Sequence, residues 1–104
     1  MTYADLLHEL TEICADSYDH AAPAGLVRFV VIHEYAETSF YGSDSNVLDV
    51  LRVQIDVYTQ ARDDALPGAV KALLRARCCP YTVQYSGWDD DTARFRTILQ
   101  TEVF

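Results

Sequence analysis

The sequence predicts an α+β fold: a largely antiparallel sheet with two helices packed on one face, in the order α-β-β-β-α-β-β. Three observations carry this. Residues 3–18 and 64–78 repeat apolar side chains at the three-to-four spacing of one helical face. Residues 49–59 alternate apolar and polar side chains with period two. Between and after these segments, β-branched and aromatic runs follow one another at hairpin spacing. At 104 residues, half of them hydrophobic, the chain reads as a single domain, 1–104, with one modest core.

In the first helix, Tyr3, Leu6, Leu7, Leu10, Ile13, Cys14 and Ser17/Tyr18 form the apolar stripe, and Asp5, Glu9, Glu12 and Asp16 the opposite one. Thr2 is the expected N-cap, with Asp5 three residues on. Residues 19–25, with Pro23 and Gly25, end the helix in a loop. Residues 26–35 carry no breaker and read as a strand. Residues 37–46 are polar, so a short strand over 38–41 and then a flexible connection are expected. In residues 49–59, Leu51, Val53, Ile55 and Val57 face the core, and Arg52, Gln54, Asp56 and Tyr58 face solvent. The second helix has a stripe of Leu66, Ala69, Val70, Leu73, Leu74 and Cys78. Asp63 and Asp64 stand at its start, Pro67 in its first turn, Arg75 and Arg77 in its last, and Pro80 stops it. A hairpin of strands 81–85 and 92–104 closes the chain, with 86–91 as its turn.

Sixteen acidic against eight basic side chains give a net charge of −8. That balance lacks the basic footprint of an electrostatic nucleic-acid binder and disfavours anionic membranes. No run approaches the roughly 20 apolar residues of a membrane span, and Met1-Thr2-Tyr3-Ala4-Asp5 does not open a secretory signal. Cys14, Cys78 and Cys79 imply no disulfide framework, which fits synthesis in a reducing cytoplasm.

Chemistry-bearing motifs are scarce, and neither phosphate-cradling glycine loops nor nucleophile or zinc-binding signatures occur. His8, His20 and His33 share no spacing and read as surface or boundary residues rather than bases or ligands. Cys14 and Cys78 read as small apolar residues of helix core faces rather than metal thiolates. Asp89-Asp90-Asp91 and Asp44-Ser45-Asn46 read as solvated turns, because consecutive side chains diverge instead of converging on a cation. Trp88, beside the acidic turn, either caps the core or anchors a partner. Tyr35, Tyr41 and Tyr58 lie outside the obvious core, on a sheet open enough to serve self-assembly.

The segment Phe40-Tyr41-Gly42-Ser43-Asp44-Ser45-Asn46 leads into the alternating strand Val53-Gln54-Ile55-Asp56-Val57-Tyr58-Thr59. A helix opened by acidic residues, a hairpin and an aromatic last strand follow. In this order the chain resembles, over nearly its whole length, the tail terminator or tail-to-head joining proteins of long-tailed bacteriophages and prophages. The resemblance implies a structural virion protein with no enzymatic activity, cofactor or metal. It implies a homo-oligomeric ring, commonly hexameric, built from a chain that is monomeric in isolation. The ring caps the tail tube, touches the tube protein and the head completion or connector protein, and resides in the virion tail after synthesis in the host cytoplasm. Carried over to this chain, residues 37–46 are the first expected interface, with Tyr41, Asp44 and Asn46, and 88–91 the second, with Trp88 and Asp90; the solvent face of strand 49–59 adds Arg52 and Tyr58 as candidates for self-assembly. Six such subunits would carry about −48 if fully charged, a surface expected to repel DNA rather than bind it specifically. The competing expectation is a small enzyme or ligand-binding module with a pocket between sheet and helices, lined by His33, Tyr85 or Cys14.

The acidity is itself uneven. It gathers on the outer stripe of the first helix and in residues 37–49 and 89–91, while strand 49–59 is nearly neutral. One acidic, solvated side and separate assembly edges are the expected division.

Overall fold

The computed structural model describes residues 1–41 and 47–104. The elements run α1 (Tyr3–Ile13), β1 (Ser17–Asp19), β2 (Phe29–Tyr41), β3 (Val47–Thr59), α2 (Leu66–Ala76), β4 (Tyr81–Asp89) and β5 (Arg94–Val103). The expected string α-β-β-β-α-β-β is therefore observed, although its first strands are drawn differently.

The start of α1 forms as its sequence requires. The Asp5 N–H donates to Thr2 Oγ1 at 3.1 Å, and the Thr2 N–H donates to Asp5 Oδ2 at 3.2 Å, closing a capping box. The helix stops at Ile13, short of the expected residue 18. The Ser17 hydroxyl contacts two last-turn carbonyl oxygens, those of Cys14 at 2.7 Å and Leu10 at 3.2 Å. Cys14 is already extended, and the chain enters β1, which pairs in parallel with β2 through Ser17↔Val30, Tyr18↔Val31 and Asp19↔Ile32.

The expected strands 26–35 and 38–41 are one thirteen-residue strand, β2. A bulge between Glu34 and Ala36 shifts its register against β3, and pairing resumes on the far side. β3 and β2 outrun β5, which reaches only Leu51, so the rungs from Thr38↔Val50 to Tyr41↔Val47 form a two-stranded arm.

α2 carries Pro67 in its first turn, where a missing N–H is harmless. Ala65 occupies the cap position without a side-chain bond, and Asp64 Oδ1 instead accepts from the Leu66 N–H at 2.8 Å. At the other end Cys78 is left-handed (φ 56°). The Cys78 N–H reaches Arg75 O at 3.1 Å and the Cys79 N–H reaches Leu74 O at 2.8 Å, a Schellman closure. This corrects the assignment of Cys78 to the core: Cys78 is exposed, and Cys79 turns inward.

β4 runs on through Ser86 and Gly87, where a turn was expected. Tyr85 explains why. Its hydroxyl donates to Trp88 O at 2.6 Å, its ring lies over Gly87, and a Cβ at Gly87 would meet Tyr85 Oη at 3.1 Å. The turn proper follows Asp89, with Ala93 left-handed at φ 53°.

The sheet order is β1-β2-β3-β5-β4, antiparallel except for β1–β2. Both helices pack on one face. Leu6 and Leu10 of α1 and Leu66, Val70 and Leu74 of α2 meet Val30, Ile32, Val53, Ile55, Val57 and Leu99 of the sheet. Every one of these residues is almost fully shielded from water. Each such side chain contributes about 1.5–3 kcal/mol relative to remaining exposed, which makes this layer the main source of stability.

Candidate assembly surface

The face of the sheet turned away from the helices is the open face. Loop 20–28 lies across one end of it. Arg94 Nε donates to Val27 O at 3.0 Å, and Arg94 Nη2 donates to Leu26 O at 3.2 Å. Arg28 grips Asp64 with both ends of its guanidinium, each bond 2.9 Å, and so ties the loop to the start of α2. That hydrogen bond, with the Leu66 N–H, holds the Asp64 carboxyl below its ordinary value despite partial burial.

Beneath the loop, Tyr58 stacks on Phe29 with ring centroids 4.5 Å apart, and the Arg96 guanidinium stands 5.4 Å from the Tyr58 ring. Arg96 Nη2 donates to Asp56 Oδ2 at 3.0 Å, and Gln54 Nε2 donates to Asp56 Oδ1 at 3.0 Å. Asp56 is only 5% exposed, so a charge pair is buried on a face that alternation assigned to solvent. Burial, reinforced by the Asp56 charge, pushes the Tyr58 phenol up. Tyr58, expected on the solvent face as a candidate for self-assembly, is thereby inside the subunit at 8% exposure. It supports the loop rather than offering surface.

The other candidate residues fall into separate places. Arg52 is exposed on the open face and pairs with Glu102 at 3.6 Å. Trp88 is 47% exposed at the hairpin end, edge-on to Phe95 with centroids 5.1 Å apart. Its indole N–H donates to Asp90 Oδ1 at 2.9 Å, so Trp88 and Asp90 form one unit. The backbone of Tyr41 ends β2 opposite Val47. Asp44, Asn46 and the expected flexible connection lie outside the described residues.

The triple aspartate makes a turn. Asp89 Oδ1 accepts from the Asp91 N–H at 3.3 Å, Asp89 Oδ2 accepts from the Thr92 hydroxyl at 2.9 Å, and Asp90 is held by Trp88. His33 and Tyr85 lie on the open face while Cys14 lies in the core beneath the helices, so the three residues of the expected pocket do not share a lining.

One group escaped the sequence. Asp19, His20 and Glu34 bring three ligand-capable atoms within 4.8 Å of one another. His20 Nδ1 lies 2.6 Å from Asp19 Oδ1, and Nε2 lies 3.4 Å from Glu34 Oε1. The Tyr3 hydroxyl also donates to Asp19 and contacts Ile32 O at 3.1 Å. Burial and the Asp19 carboxylate push the Tyr3 phenol far above its ordinary range. A divalent cation would find oxygen and nitrogen donors here, but both His20 nitrogens already face carboxylates and the group is exposed. It acts as a polar clasp joining α1, β1 and β2. The parallel β1–β2 register creates this proximity, and nothing in the residue spacing announces it.

The apolar surface is unevenly placed. Among the described residues the exposed large apolar side chains are Val27, Tyr35, Val83, Tyr85, Trp88 and Phe104. Three belong to β4, at one margin of the sheet, and Tyr35 belongs to β2 beyond its last rung with β1, at the other. The acidic stripe of α1 is less free than its sequence suggests, because Glu9 is paired with Arg77 of α2.

No family model and no curated protein matches the chain. Among solved structures, a chain from the virion of a native gene transfer agent particle shares its fold. The two superpose with a TM-score of 0.56 at 15% sequence identity, over 96% of this chain and 90% of the other.

Proposed function

We propose that this protein is a structural subunit of a phage-like virion, acting as a tail-terminator ring that caps the tail tube and meets the head completion complex. The observation that carries the reading is the end-to-end shared fold with a virion chain, 96% of one against 90% of the other. The order of segments around Gln54-Ile55-Asp56-Val57-Tyr58, which resembles that of tail terminators, supports the finer reading. The exposed apolar side chains gathered at the two margins of the sheet support assembly, since exposed patches on an otherwise charged protein mark contact sites.

In this reading the chain performs no catalytic step. Its contacts are with copies of itself, most commonly six, with the tube protein and with the connector protein. Tyr41, Asp44 and Asn46 belong to one contact region, Trp88 and Asp90 to another, and Arg52 lies on the face between them. The acidic surface repels DNA and leaves its passage unhindered.

The test is to mix the purified chain with assembled tail tubes of its own system. Native mass spectrometry is expected to detect a closed oligomer of one size, and electron microscopy a density at one tube end that stops elongation. A chain that stays monomeric at high micromolar concentration and leaves tube growth unchanged overturns the proposal.

A further inference from the structure

We propose that neighbouring copies join by strand pairing, the free edge of β4 in one copy adding to the free outer edge of β2 in the next, so that the sheets of the assembly are continuous. This rests on the ring reading above and names the surfaces that build the ring. β4 and β2 lie toward opposite margins of the order β1-β2-β3-β5-β4. β1 covers β2 only at residues 30–32, which leaves 33–41 with an unpaired outer edge among the described residues. That stretch is nine residues long, as is β4.

β4 carries little of the usual protection of an edge strand, and on β2 the charged residues Glu34 and Glu37 and the bulge between Glu34 and Ala36 all precede 38–41. Natural edge strands carry lysine, proline or charges that deter pairing. Residues 81–88 contain no Asp, Glu, Lys, Arg or Pro in a chain with 24 charged residues, and 38–41 contain none either. The bulge between Val83 and Tyr85 is the one such device on β4, and it leaves 85–89 regular. Among the described residues, four of the six exposed large apolar side chains stand on these two strands. Copies each carrying −8 repel one another, so contact is cheapest where charge is absent.

The same facts select unlike pairing. Two β2 edges together would bring Glu34 of both copies close, and like charges across a ladder are destabilising. Two β4 edges would close a two-fold dimer and leave both β2 edges open. Pairing β4 with β2 consumes both edges of every copy, and repetition of one heterologous contact closes a ring when the rotation between copies allows it.

The experiment uses two full-length variants. Val83→Lys with Tyr85→Lys blocks the β4 edge. Tyr35→Lys blocks the β2 edge. Val83, Tyr85 and Tyr35 are 44–47% exposed, so both variants are expected to keep the parental circular dichroism and melting profile. Should the first fail to fold, Trp88→Lys tests the same edge. By native mass spectrometry the parent forms the ring, each variant alone is monomeric with at least a tenfold rise in the concentration for half-assembly, and their mixture gives a one-to-one dimer and nothing larger. A β4-blocked variant that still forms rings overturns the edge assignment while the ring reading stands. A β2-blocked variant that dimerises alone overturns it in favour of β4–β4 pairing. A parent that forms no oligomer, even with tube ends, overturns both.

Discussion

The helix-covered face and the open face belong to the same strands, yet they are held in different ways. On the first, Val53, Ile55, Val57 and Leu99 are fully buried against Leu and Val side chains from α1 and α2. Burial there is non-directional and sums over area. On the second, Asp56 and Tyr58 are nearly as buried, but they are held by a charge pair, a ring stack and the fork of Arg94 on loop 20–28. Every partner on that face is specific. One face therefore degrades in proportion to the methylenes removed, whereas the other fails when a single partner is lost and recovers when both are replaced.

The largest expected effect breaks the apolar face. Leu99 sits opposite Ile55 in the middle of the sheet and is 0% exposed. Leu99→Ala is expected to lower stability by about 4 kcal/mol, in the upper part of the range for buried leucines, read from the midpoint of urea unfolding. Adding Arg96→Met on the opposite face should be close to additive. A strong departure from additivity would mean that the two faces are not independent.

The second effect breaks the polar face. Arg96→Met leaves Asp56 buried with Gln54 as its remaining donor. The expected loss is about 3 kcal/mol, at the low end for a broken buried pair because that donor persists. Asp56→Leu combined with Arg96→Met is expected to return to within about 1 kcal/mol of the parent, since apolar replacement of a buried pair is commonly neutral. If the double variant is as unstable as the single one, the charge pair is not what holds this face.

These two faces also differ in how much of them could be read in advance. Val53, Ile55 and Val57 declare themselves by period two, and Thr2 with Asp5 declares the start of α1. β1 does not. Ser17 and Tyr18 continue the helical spacing of Leu10 and Cys14, and only a parallel partner thirteen residues downstream makes them strand. The His20–Glu34 clasp depends on that same register, so it was equally hidden. Asp56 looked solvated because alternation gives the side of a sheet and not what covers it, and the cover is an irregular loop pinned by Arg94. Ser86 and Gly87 have turn composition, but Gly87 serves to admit the Tyr85 ring over a continuing strand. Trp88 and the aspartates beside it were visible in sequence; the hydrogen bond that joins Trp88 to Asp90 and their link to the β4 edge required the structure.

The smallest effect sharpens the comparison through pH. Asp64 fastens loop 20–28 through Arg28 and also caps α2 through the Leu66 N–H, so it serves both sides of the sheet. Its carboxyl is held below the ordinary value of 3.8, chiefly by the Arg28 hydrogen bond. A depressed carboxyl contributes stability that is complete above its unfolded value and disappears as the pH falls through its folded one. Asp64→Asn keeps a side-chain oxygen for the cap and removes the ion pair. It is expected to cost about 1 kcal/mol at pH 6, discounted because Arg28 is largely exposed, and the gap from the parent should shrink steadily toward pH 3. Asp64→Ala removes the cap as well, so a further loss of about 1 kcal/mol should persist at pH 3. A gap for Asp64→Asn that does not change with pH would place the role of Asp64 in the helix layer alone, and the loop would then be held by Arg94 without its help.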